Sequence, residues 1–301
     1  MSPLSRRTLI RGASSAFLLG GALSAYSFGV EPGLLLETTS YRVHPPNWPS
    51  GLRLEVAVIA DLHCCEPYMS AVRVRGICEA ANALRPDITF ILGDFNGGHM
   101  FVTKPVWPQE WAEALEVLRA PLGIWSVLGN HDWWHGPLPD MPGDQGASVR
   151  RALRSVGIDV LENRAVRLIH KGRSFWVAGL GDQLAYGRRN GHWIGADDLE
   201  GTLAQIGDDA PVLLLAHEPL IFPKVPDRVS LTLCGHTHGG QVNFPIIGSP
   251  FARERFGAGH YYGHIVEGGR HMIISGGLGE SILPIRFMRP PELVKITLEG
   301  S

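Results

Sequence analysis

Seven side chains that can bind metal ions follow apolar runs along this 301-residue chain. They are Asp61, His63, Asp94, Asn130, His217, His236 and His238. The set offers oxygen and nitrogen donors and no sulfur, and it is too large for one tetrahedral zinc ion. Two ions that share a carboxylate would use such a set, and Mn, Fe and Zn all accept imidazole with carboxylate. The residue types therefore predict two divalent metal ions.

The motif Gly235-His236-Thr237-His238 follows an apolar run, residues 229–234, that is typical of a buried strand. Side chains two residues apart on a strand point to the same face, so both imidazoles are expected to reach metal on one side of a sheet. Taken alone, the two histidines could equally be a surface pair, and a strand-end Asp or Asn often caps a turn. The metal prediction depends on the other fragments, which repeat the arrangement: Asp61-Leu62-His63, Gly93-Asp94, Gly129-Asn130-His131-Asp132 and His217.

Strands and helices alternate in the segments that carry these fragments. Apolar runs at 54–60, 88–92 and 124–128 predict strands covered on both faces, and each ends at one of the fragments. Helical spacing of apolar residues at 69–84 and 109–118 predicts the helices between them. Such alternation indicates an α/β fold, in which ligands gather beyond the carboxyl ends of the strands.

The rest of the chain continues the pattern. Helices are predicted at 147–156 and at 196–206, the second capped near Asp197. Strands are predicted at 166–169 and 175–178, as a hairpin around Lys171-Gly172, and at 212–216, 231–234, 261–266, 271–275 and 293–298. This number of strands exceeds one comfortable sheet, so two packed sheets flanked by helices are expected.

The N-terminus has the layout of an export signal. The basic run Ser5-Arg6-Arg7-Thr8-Leu9-Ile10-Arg11 precedes an apolar stretch at 13–30, and its paired arginines resemble the twin-arginine (Tat) signal. The alternative is a cytosolic protein with a basic N-terminal helix. No clean cleavage site follows, so residues 1–30 are predicted to be a signal or a membrane anchor. Residues 31–53, rich in proline, are predicted as a tether with a first strand at 37–43, and residues 54–301 as the metal-binding domain.

The composition gives no indication of nucleic-acid binding and no indication of a thiolate metal site. A formal net charge of −2 with 19% charged residues gives no basic excess of the kind that nucleic-acid binding requires. The four cysteines, Cys64, Cys65, Cys78 and Cys234, show no C-x-x-C spacing and are expected to be free and buried.

Together, the D-x-H, G-D, G-N-H-D, lone His and G-H-T-H fragments resemble the calcineurin-like metallophosphoesterase family. The resemblance runs from about residue 54 to the C-terminus, and Gly276-Gly277-Leu278-Gly279 and Pro290-Pro291-Glu292 look like a branch of exported or membrane-associated bacterial phosphodiesterases. It implies a four-layer α-β-β-α sandwich with a dinuclear metal site at the carboxyl ends of the strands.

The resemblance also implies a role for each residue. Asp61, His63 and His238 would hold one ion, Asn130, His217 and His236 the other, and Asp94 would bridge both. His131 would not bind metal but would stand over the leaving group as general acid, with Asp132 as its orienting partner. Gly97 stands where purple acid phosphatases place a metal-binding Tyr, so a purple iron centre is disfavoured.

These roles agree with the chemistry of phosphate ester hydrolysis. Two ions about 3.5–4 Å apart can lower the pKa of a bridging water, so that a hydroxide attacks phosphorus in line. A positively charged His131 can protonate the departing alkoxide, a contribution worth about 100-fold to 10,000-fold. Trp133, Trp134 and His135 could wall the pocket, and Arg253, Arg255, Arg286 and Arg289 could pair with phosphate, although packing and surface charge explain them as well.

The sequence therefore predicts a metal-dependent phosphodiesterase on the outer side of the cytoplasmic membrane. Its expected partners are a phosphate ester linked to a lipid or an envelope precursor, the Tat machinery, and the membrane itself. The alternatives are a phosphomonoesterase or protein phosphatase, and a non-catalytic scaffold of the same fold. A scaffold has no need to keep His131 together with all seven donors.

Overall fold

Two six-stranded sheets and the helices outside them make up most of the chain. The computed structural model describes residues 6–138, 140–257 and 259–300, with the backbone alone for residues 6–13 and 16. The first sheet contains, in spatial order, Glu37–Val43, Glu292–Leu298, Leu54–Ile59, Ile88–Ile91, Ile124–Ser126 and Asp159–Val160. The second contains Gly263–Glu267, Arg270–Ile274, Val229–Cys234, Val212–Leu215, Arg173–Gly179 and Arg164–His170.

The strands at the centre of each sheet run parallel. Leu54–Ile59 pairs in parallel with Ile88–Ile91, which pairs in parallel with Ile124–Ser126. In the second sheet, Val229–Cys234 lies between Val212–Leu215 and Arg270–Ile274 and is parallel to both. The carboxyl ends of these strands, where the predicted ligands follow, therefore lie along one edge of each sheet.

Three buried apolar clusters separate four layers. Side chains from both sheets, among them Val58, Phe90, Val177 and Leu213, form the central cluster. The outer face of the first sheet is covered by the helices Ala71–Ala83, Pro108–Leu115 and Ala147–Ser155. The outer face of the second sheet is covered by Leu199–Ala204 and the 3₁₀ turn Pro219–Lys224. The expected α-β-β-α order of layers is confirmed.

The remaining helices are Arg6–Ala25, Glu31–Leu34, Asn130–Trp134 and Pro250–Phe256. Most predicted boundaries hold within two or three residues, and the helix predicted at 196–206 begins three residues later, at Leu199. Residues 196–198 are not helical, and the cap is Asp198, whose side chain accepts from the Gly201 N–H at 2.8 Å. Residue type does not decide between Asp197 and Asp198 as the N-cap, because both are aspartates and lie next to each other.

All four cysteines are free and buried, as expected from their spacing. Burial raises the pKa of Cys65 and of Cys78 to about 12, so both thiols stay protonated at neutral pH. The cysteines therefore act as small apolar side chains.

The segment that follows the N-terminal helix is built into the domain. Glu37–Val43 pairs in parallel with Glu292–Leu298 along its whole length. Glu31 is fully buried, and its carboxylate accepts hydrogen bonds from the backbone N–H groups of Met288 and Arg289 at 2.9 and 2.5 Å. Arg73 donates to the carbonyl oxygens of Pro32 and Gly33 at 2.6 and 2.8 Å. These bonds tie the segment to the last strand, to the loop that precedes that strand and to the helix Ala71–Ala83.

Replacing Glu31 with Ala should lower the free energy of unfolding by about 1–3 kcal/mol, because two backbone N–H groups would lose their buried acceptor. Urea denaturation measures the difference. Glu37→Ala is the matched control, since that side chain is exposed and the variant should differ from the wild type by less than about 0.5 kcal/mol. Equal losses in both variants would contradict a specific role for Glu31.

Candidate metal centre

Five of the seven predicted ligands have a left-handed backbone. The φ angles of Asp61, His63, Asp94, His236 and His238 are 53°, 45°, 57°, 69° and 52°. Non-glycine residues rarely adopt this conformation, and it is retained where the surrounding structure enforces it. Here the turns are held by backbone bonds between loops, such as Asp61 N–H to the Gly93 oxygen at 3.1 Å and His63 N–H to the Asp94 oxygen at 2.9 Å. The strain is concentrated at the residues with ligand chemistry.

Three imidazoles are oriented by backbone carbonyl groups. The Nδ1 atoms of His63, His217 and His238 lie 2.9, 2.6 and 3.1 Å from the carbonyl oxygens of Asn96, Leu92 and Gly279. Such a bond fixes the proton on Nδ1 and leaves Nε2 as a donor atom, which is the usual arrangement around metal-binding histidine. Each of the three Nε2 atoms points to the same buried region.

The donor atoms form two groups, and a third group of His63, Asp94 and His131 overlaps both of them. In the first, donor atoms of Asp61, His63 and His238 all lie within 4.8 Å of one another. The second joins Asp94, His217 and His236 within the same limit. Asp94 Oδ2 is 3.5 Å from His63 Nε2 and 3.2 Å from His217 Nε2, so this carboxylate reaches both groups. The Oδ1 atom of Asn130 lies 2.9 Å from His236 Nδ1, at the edge of the second group.

Several features of this cluster fit bound cations. Asp61 Oδ2 is buried without a hydrogen-bond partner among the described residues. The Nε2 atoms of His63 and His238 face each other at 3.1 Å, although both rings have their Nδ1 on a carbonyl group. A Cβ atom on Gly129 would lie 2.3 Å from Asp94 Oδ1, so the backbone leaves no room for a side chain beside the cluster. The donor set and its arrangement fit two divalent ions.

The protonation states of three histidines and of Asp61 agree with bound cations, whereas at His217 the nearby carboxylates outweigh burial and raise the pKa well above its ordinary value. Burial lowers the pKa of His63 and lowers the pKa of His236 and His238 far below the ordinary range, so these rings are neutral, the form that binds metal. Burial raises the pKa of Asp61 to about 7, with His217 opposing and Asp94 adding to the rise. The positive charge of His217 does not offset the burial of this carboxylate, and a bound cation would add the charge that it needs.

His236 and His238 both line the cavity at the metal cluster, as expected, but turn geometry rather than strand alternation places them there. The strand ends at Cys234, and both histidines follow it in left-handed turns. They belong to different donor groups, His236 with Asp94 and His238 with Asp61. Side chains alternate between the two faces of a sheet only while the strand remains paired, so beyond Cys234 the turn geometry decides where each ring points.

Asp132 does not orient His131, in contrast to the expectation. Its carboxylate accepts from the backbone N–H groups of Asp94, Phe95 and Gly129 at 2.9, 2.8 and 3.0 Å, and from Asn96 at 3.2 Å. Asp132 therefore holds two ligand-bearing loops together. Four N–H donors around one buried carboxylate form the densest polar contact beside the cluster.

His131 lies at the wall of the cluster with one ring atom facing a cavity. Its backbone N–H donates to Asp94 Oδ1 at 2.9 Å, and its Nε2 lies 3.5 Å from Ser281 Oγ. Its Nδ1 is buried without a partner among the described residues. Burial lowers the pKa of His131 to about 3, so the ring is neutral at neutral pH rather than positively charged as expected.

The cavity above the cluster has a volume of about 540 Å³. Of the side chains predicted to line it, Trp134 and Arg255 do so. Trp133 is buried under Arg150, and Arg253 donates to the carbonyl group of Ile247. The prediction that Arg286 could pair with phosphate is wrong. This side chain is fully buried and donates to the carbonyl oxygens of Gly276, Gly279 and Arg289. Arg289 lies over the Tyr262 ring at 3.5 Å.

Sequence reasoning missed several residues near the cluster. Glu218 and Glu280 are both buried. The Oε1 atom of Glu218 lies 4.0 Å from His236 Nδ1, and the Oε1 atom of Glu280 lies 3.4 Å from Arg286 Nε. Both could have been found by position, because Glu218 follows His217 and Glu280 follows the Gly276–Gly279 motif. Ser281 and the apolar lining of the cavity carried no such signal, since serine and apolar residues are common everywhere.

Comparisons with known proteins agree with this geometry. Residues 54–240 match the family model described as calcineurin-like phosphoesterase. The chain is 30% identical to an uncharacterized metallophosphoesterase, YkuE, of Bacillus subtilis (strain 168), over the full length of both chains. It is 29% identical to an uncharacterized metallophosphoesterase of Aquifex aeolicus (strain VF5), covering 88% of this chain and 92% of the relative. It is also 29% identical to phosphodiesterase YaeI of Escherichia coli (strain K12), covering 81% and 82%.

The substitution Asp132→Asn should lower both the free energy of unfolding and the amount of bound metal. The amide would turn its NH₂ group toward backbone N–H donors, at a cost of about 1–3 kcal/mol in the free energy of unfolding of the metal-free protein. Denaturation and elemental analysis of bound metal measure the two effects. Asp159→Asn, at an exposed carboxylate, is the control and should change neither. Wild-type stability and full metal content in Asp132→Asn would show that the four bonds do not hold the loops.

Proposed function

Because this chain belongs to the calcineurin-like phosphoesterase family, which uses a dinuclear centre of divalent ions, we propose that it hydrolyses phosphodiesters. The chain is a metallophosphoesterase, and the preference for diesters is the proposal. One observation carries it: the buried Asp and His cluster forms the floor of a cavity of about 540 Å³ that reaches the surface. A phosphate group can therefore reach the donor atoms while its two ester substituents extend outward.

Each residue of the cluster has a proposed part in this reaction. Asp61, His63 and His238 would hold one ion, Asn130, His217 and His236 the other, and Asp94 would contact both. Ions bound there would lower the pKa of a water molecule and neutralise charge on the phosphoryl oxygens. The carbonyl groups that hold the imidazoles keep the donor atoms in place before substrate arrives.

His131 is proposed to protonate the leaving group. Its Nε2 faces the cavity beside Ser281, within reach of a substituent on a phosphate at the floor. The ring is neutral before substrate binds, since burial holds its pKa at about 3. A bound phosphodiester carries a negative charge, and an adjacent anion favours the protonated imidazole.

The charge of the cavity favours a diester over a monoester. A phosphate monoester carries about 1.5 to 2 negative charges at neutral pH, as phosphorylated side chains do, whereas a diester carries one. Outside the donor cluster, Arg255 is the one Lys or Arg side chain among the described residues that line the cavity. The printed name of the E. coli relative, phosphodiesterase YaeI, supports the same choice. No observation favours a docking site for a protein substrate.

The manganese-loaded protein should hydrolyse bis-(p-nitrophenyl) phosphate faster than p-nitrophenyl phosphate, and a chelator should abolish both activities. His131→Ala should retain its metal but lose about 100-fold or more of kcat on an alkyl phosphodiester, and much less on the nitrophenyl diester, whose leaving group needs no proton. His44→Ala, at an exposed histidine, is the control.

A higher rate on the monoester would contradict the proposed diester preference. Loss of metal in His131→Ala, or equal losses on the alkyl and nitrophenyl diesters, would remove the proposed acid. A metal-loaded protein that cleaves no phosphate ester would leave the scaffold alternative.

We propose that the protein is exported by the Tat route and acts at the outer side of the cytoplasmic membrane. The basic run and the apolar stretch of the N-terminus support this. Ser5, where the motif begins, lies outside the described residues, and the side chains of Arg6 and Arg7 are not described. Residues 6–25 are helical. Among the described helices, none combines the length and the hydropathy that a bilayer-spanning segment requires.

Replacing both Arg6 and Arg7 with Lys should stop export, because the Tat signal is read through its paired arginines. The fraction of protein outside the cytoplasm, measured by cell fractionation, should fall to background. Arg11→Lys keeps the same charge outside the pair and should be exported normally. Unchanged export of the Arg6→Lys/Arg7→Lys variant would contradict the proposed route.

A further inference from the structure

The cavity above the metal centre has two chemically different parts. Its floor contains Asp94, Asn130, His131, His236 and His238. The remaining lining is mostly apolar, and its main side chains, the apolar wall, are Trp134, Val242, Phe251, Phe256, Ile282 and Leu283. None of these residues has chemistry that phosphate ester hydrolysis requires.

The apolar wall begins directly at the floor. The ring of Phe256 contacts that of His236 edge to face, with centroids 5.6 Å apart. On the other side, the ring of Trp134 lies 6.1 Å from that of His131. Ser281, next to Ile282, is 3.5 Å from His131 Nε2. A phosphate at the floor therefore has its ester substituents against the wall.

The wall continues to the protein surface. Phe251 is 73% exposed and Ile282 is 62% exposed. Beside them, the turn closed by Phe244 and Gly248 carries Ile246 and Ile247, which are 105% and 54% exposed. Single exposed apolar residues are ordinary, but a contiguous set that leads from a cavity to the surface marks a binding surface.

The wall offers little to a polar substituent. Beyond the floor, the polar side chains of the lining are Thr237, Gln241, Arg255 and Ser281. Those of Thr237 and Gln241 are bonded to backbone groups, and the Arg255 guanidinium lies over the Phe256 ring at 5.3 Å. A sugar or nucleotide would need several hydrogen-bond partners there, because each unpaired polar group that loses water costs free energy. An acyl or alkyl group gains free energy from the same contact.

We propose that the substrate is an amphiphilic phosphodiester whose acyl or alkyl part lies along the apolar wall while its phosphate lies at the floor. The inference rests on the proposed function and specifies its substrate class. In the reaction, the oxygen of water forms a bond to phosphorus and the P–O ester bond breaks. The proton goes to the departing alcohol, and a phosphate monoester remains.

The first experiment compares one headgroup with and without acyl chains. The metal-loaded full chain should hydrolyse monomeric dihexanoyl phosphatidylglycerol with a kcat/KM at least about 10-fold above that for the deacylated glycerophosphodiester, since apolar contacts of this size give such factors. Phe251→Ser should remove most of this ratio, mainly by raising KM for the acylated substrate. Ile169→Ser, an equally accessible apolar residue on the edge strand Arg164–His170, is the matched control and should keep it.

Equal kcat/KM for the two substrates in the wild type would overturn the proposal. So would a Phe251→Ser variant that keeps the ratio, or one whose only change is dissociation of a dimer in light scattering, because the wall would then be a contact between copies. Hydrolysis of bis-(p-nitrophenyl) phosphate in the same samples separates these outcomes from failure of the proposed function, which would abolish that activity too.

A second experiment identifies the source of the amphiphile. The same headgroup is offered as dioleoyl phosphatidylglycerol in vesicles and as the monomeric short-chain lipid. Hydrolysis in vesicles that falls in Ile246→Ser but not in Ile169→Ser assigns the substrate to a bilayer surface. Hydrolysis of the monomer alone assigns it to a dissolved amphiphile. Hydrolysis of neither, with bis-(p-nitrophenyl) phosphate still cleaved, contradicts the proposal.

Discussion

Two carboxylates withdrawn from water at one point are the constraint on which the rest of the structure depends. Asp61 and Asp94 have exposures of 0% and 1%, and both approach His217 Nε2. Burial would raise the pKa of Asp94, but His217 and the other nearby imidazoles bring it well below the ordinary range. For His217 the balance is reversed, since burial would lower its pKa and the carboxylates raise it. Two carboxylates with little other cationic charge nearby are costly to bury, and this cost is the physical reason for the affinity for cations.

The fold stabilises this arrangement through backbone geometry rather than through side-chain packing alone. Left-handed residues at Asp61, His63 and Asp94 would be unfavourable in isolated turns. They are retained because neighbouring parallel strands end side by side, so that each loop can bond to the next. Asp132 joins two of these loops through its four N–H donors. The donor atoms are therefore positioned by the sheets before any ion binds.

The sequence predicted the parts of the site that depend on residue type and on strand ends. Asp61, Asp94 and His217 lie together just after the ends of parallel strands, because a continuous apolar run indicates a covered strand and its end indicates an edge of the sheet. The role of Asp132 could not be predicted in the same way, since its partners lie 36 to 38 residues away and in its own turn. The orientations of the His236 and His238 rings depend on left-handed φ angles, which cannot be predicted from the residue type. Apart from Trp134, the members of the apolar wall were missed because they come from distant segments and have no chemistry of their own.

The N-terminal segment and the cavity meet on the same loop. Tyr26, directly after the first helix, contacts the ring of Phe287 at 6.5 Å, and Phe287 contacts Phe244 at 5.9 Å. The backbone N–H of Arg286 donates to the carbonyl group of Ser27 at 3.0 Å. The chain therefore leaves the first helix beside the exposed end of the apolar wall. A surface that held this helix, as the proposed export to the outer side of the membrane would require, would therefore lie beside the mouth of the cavity.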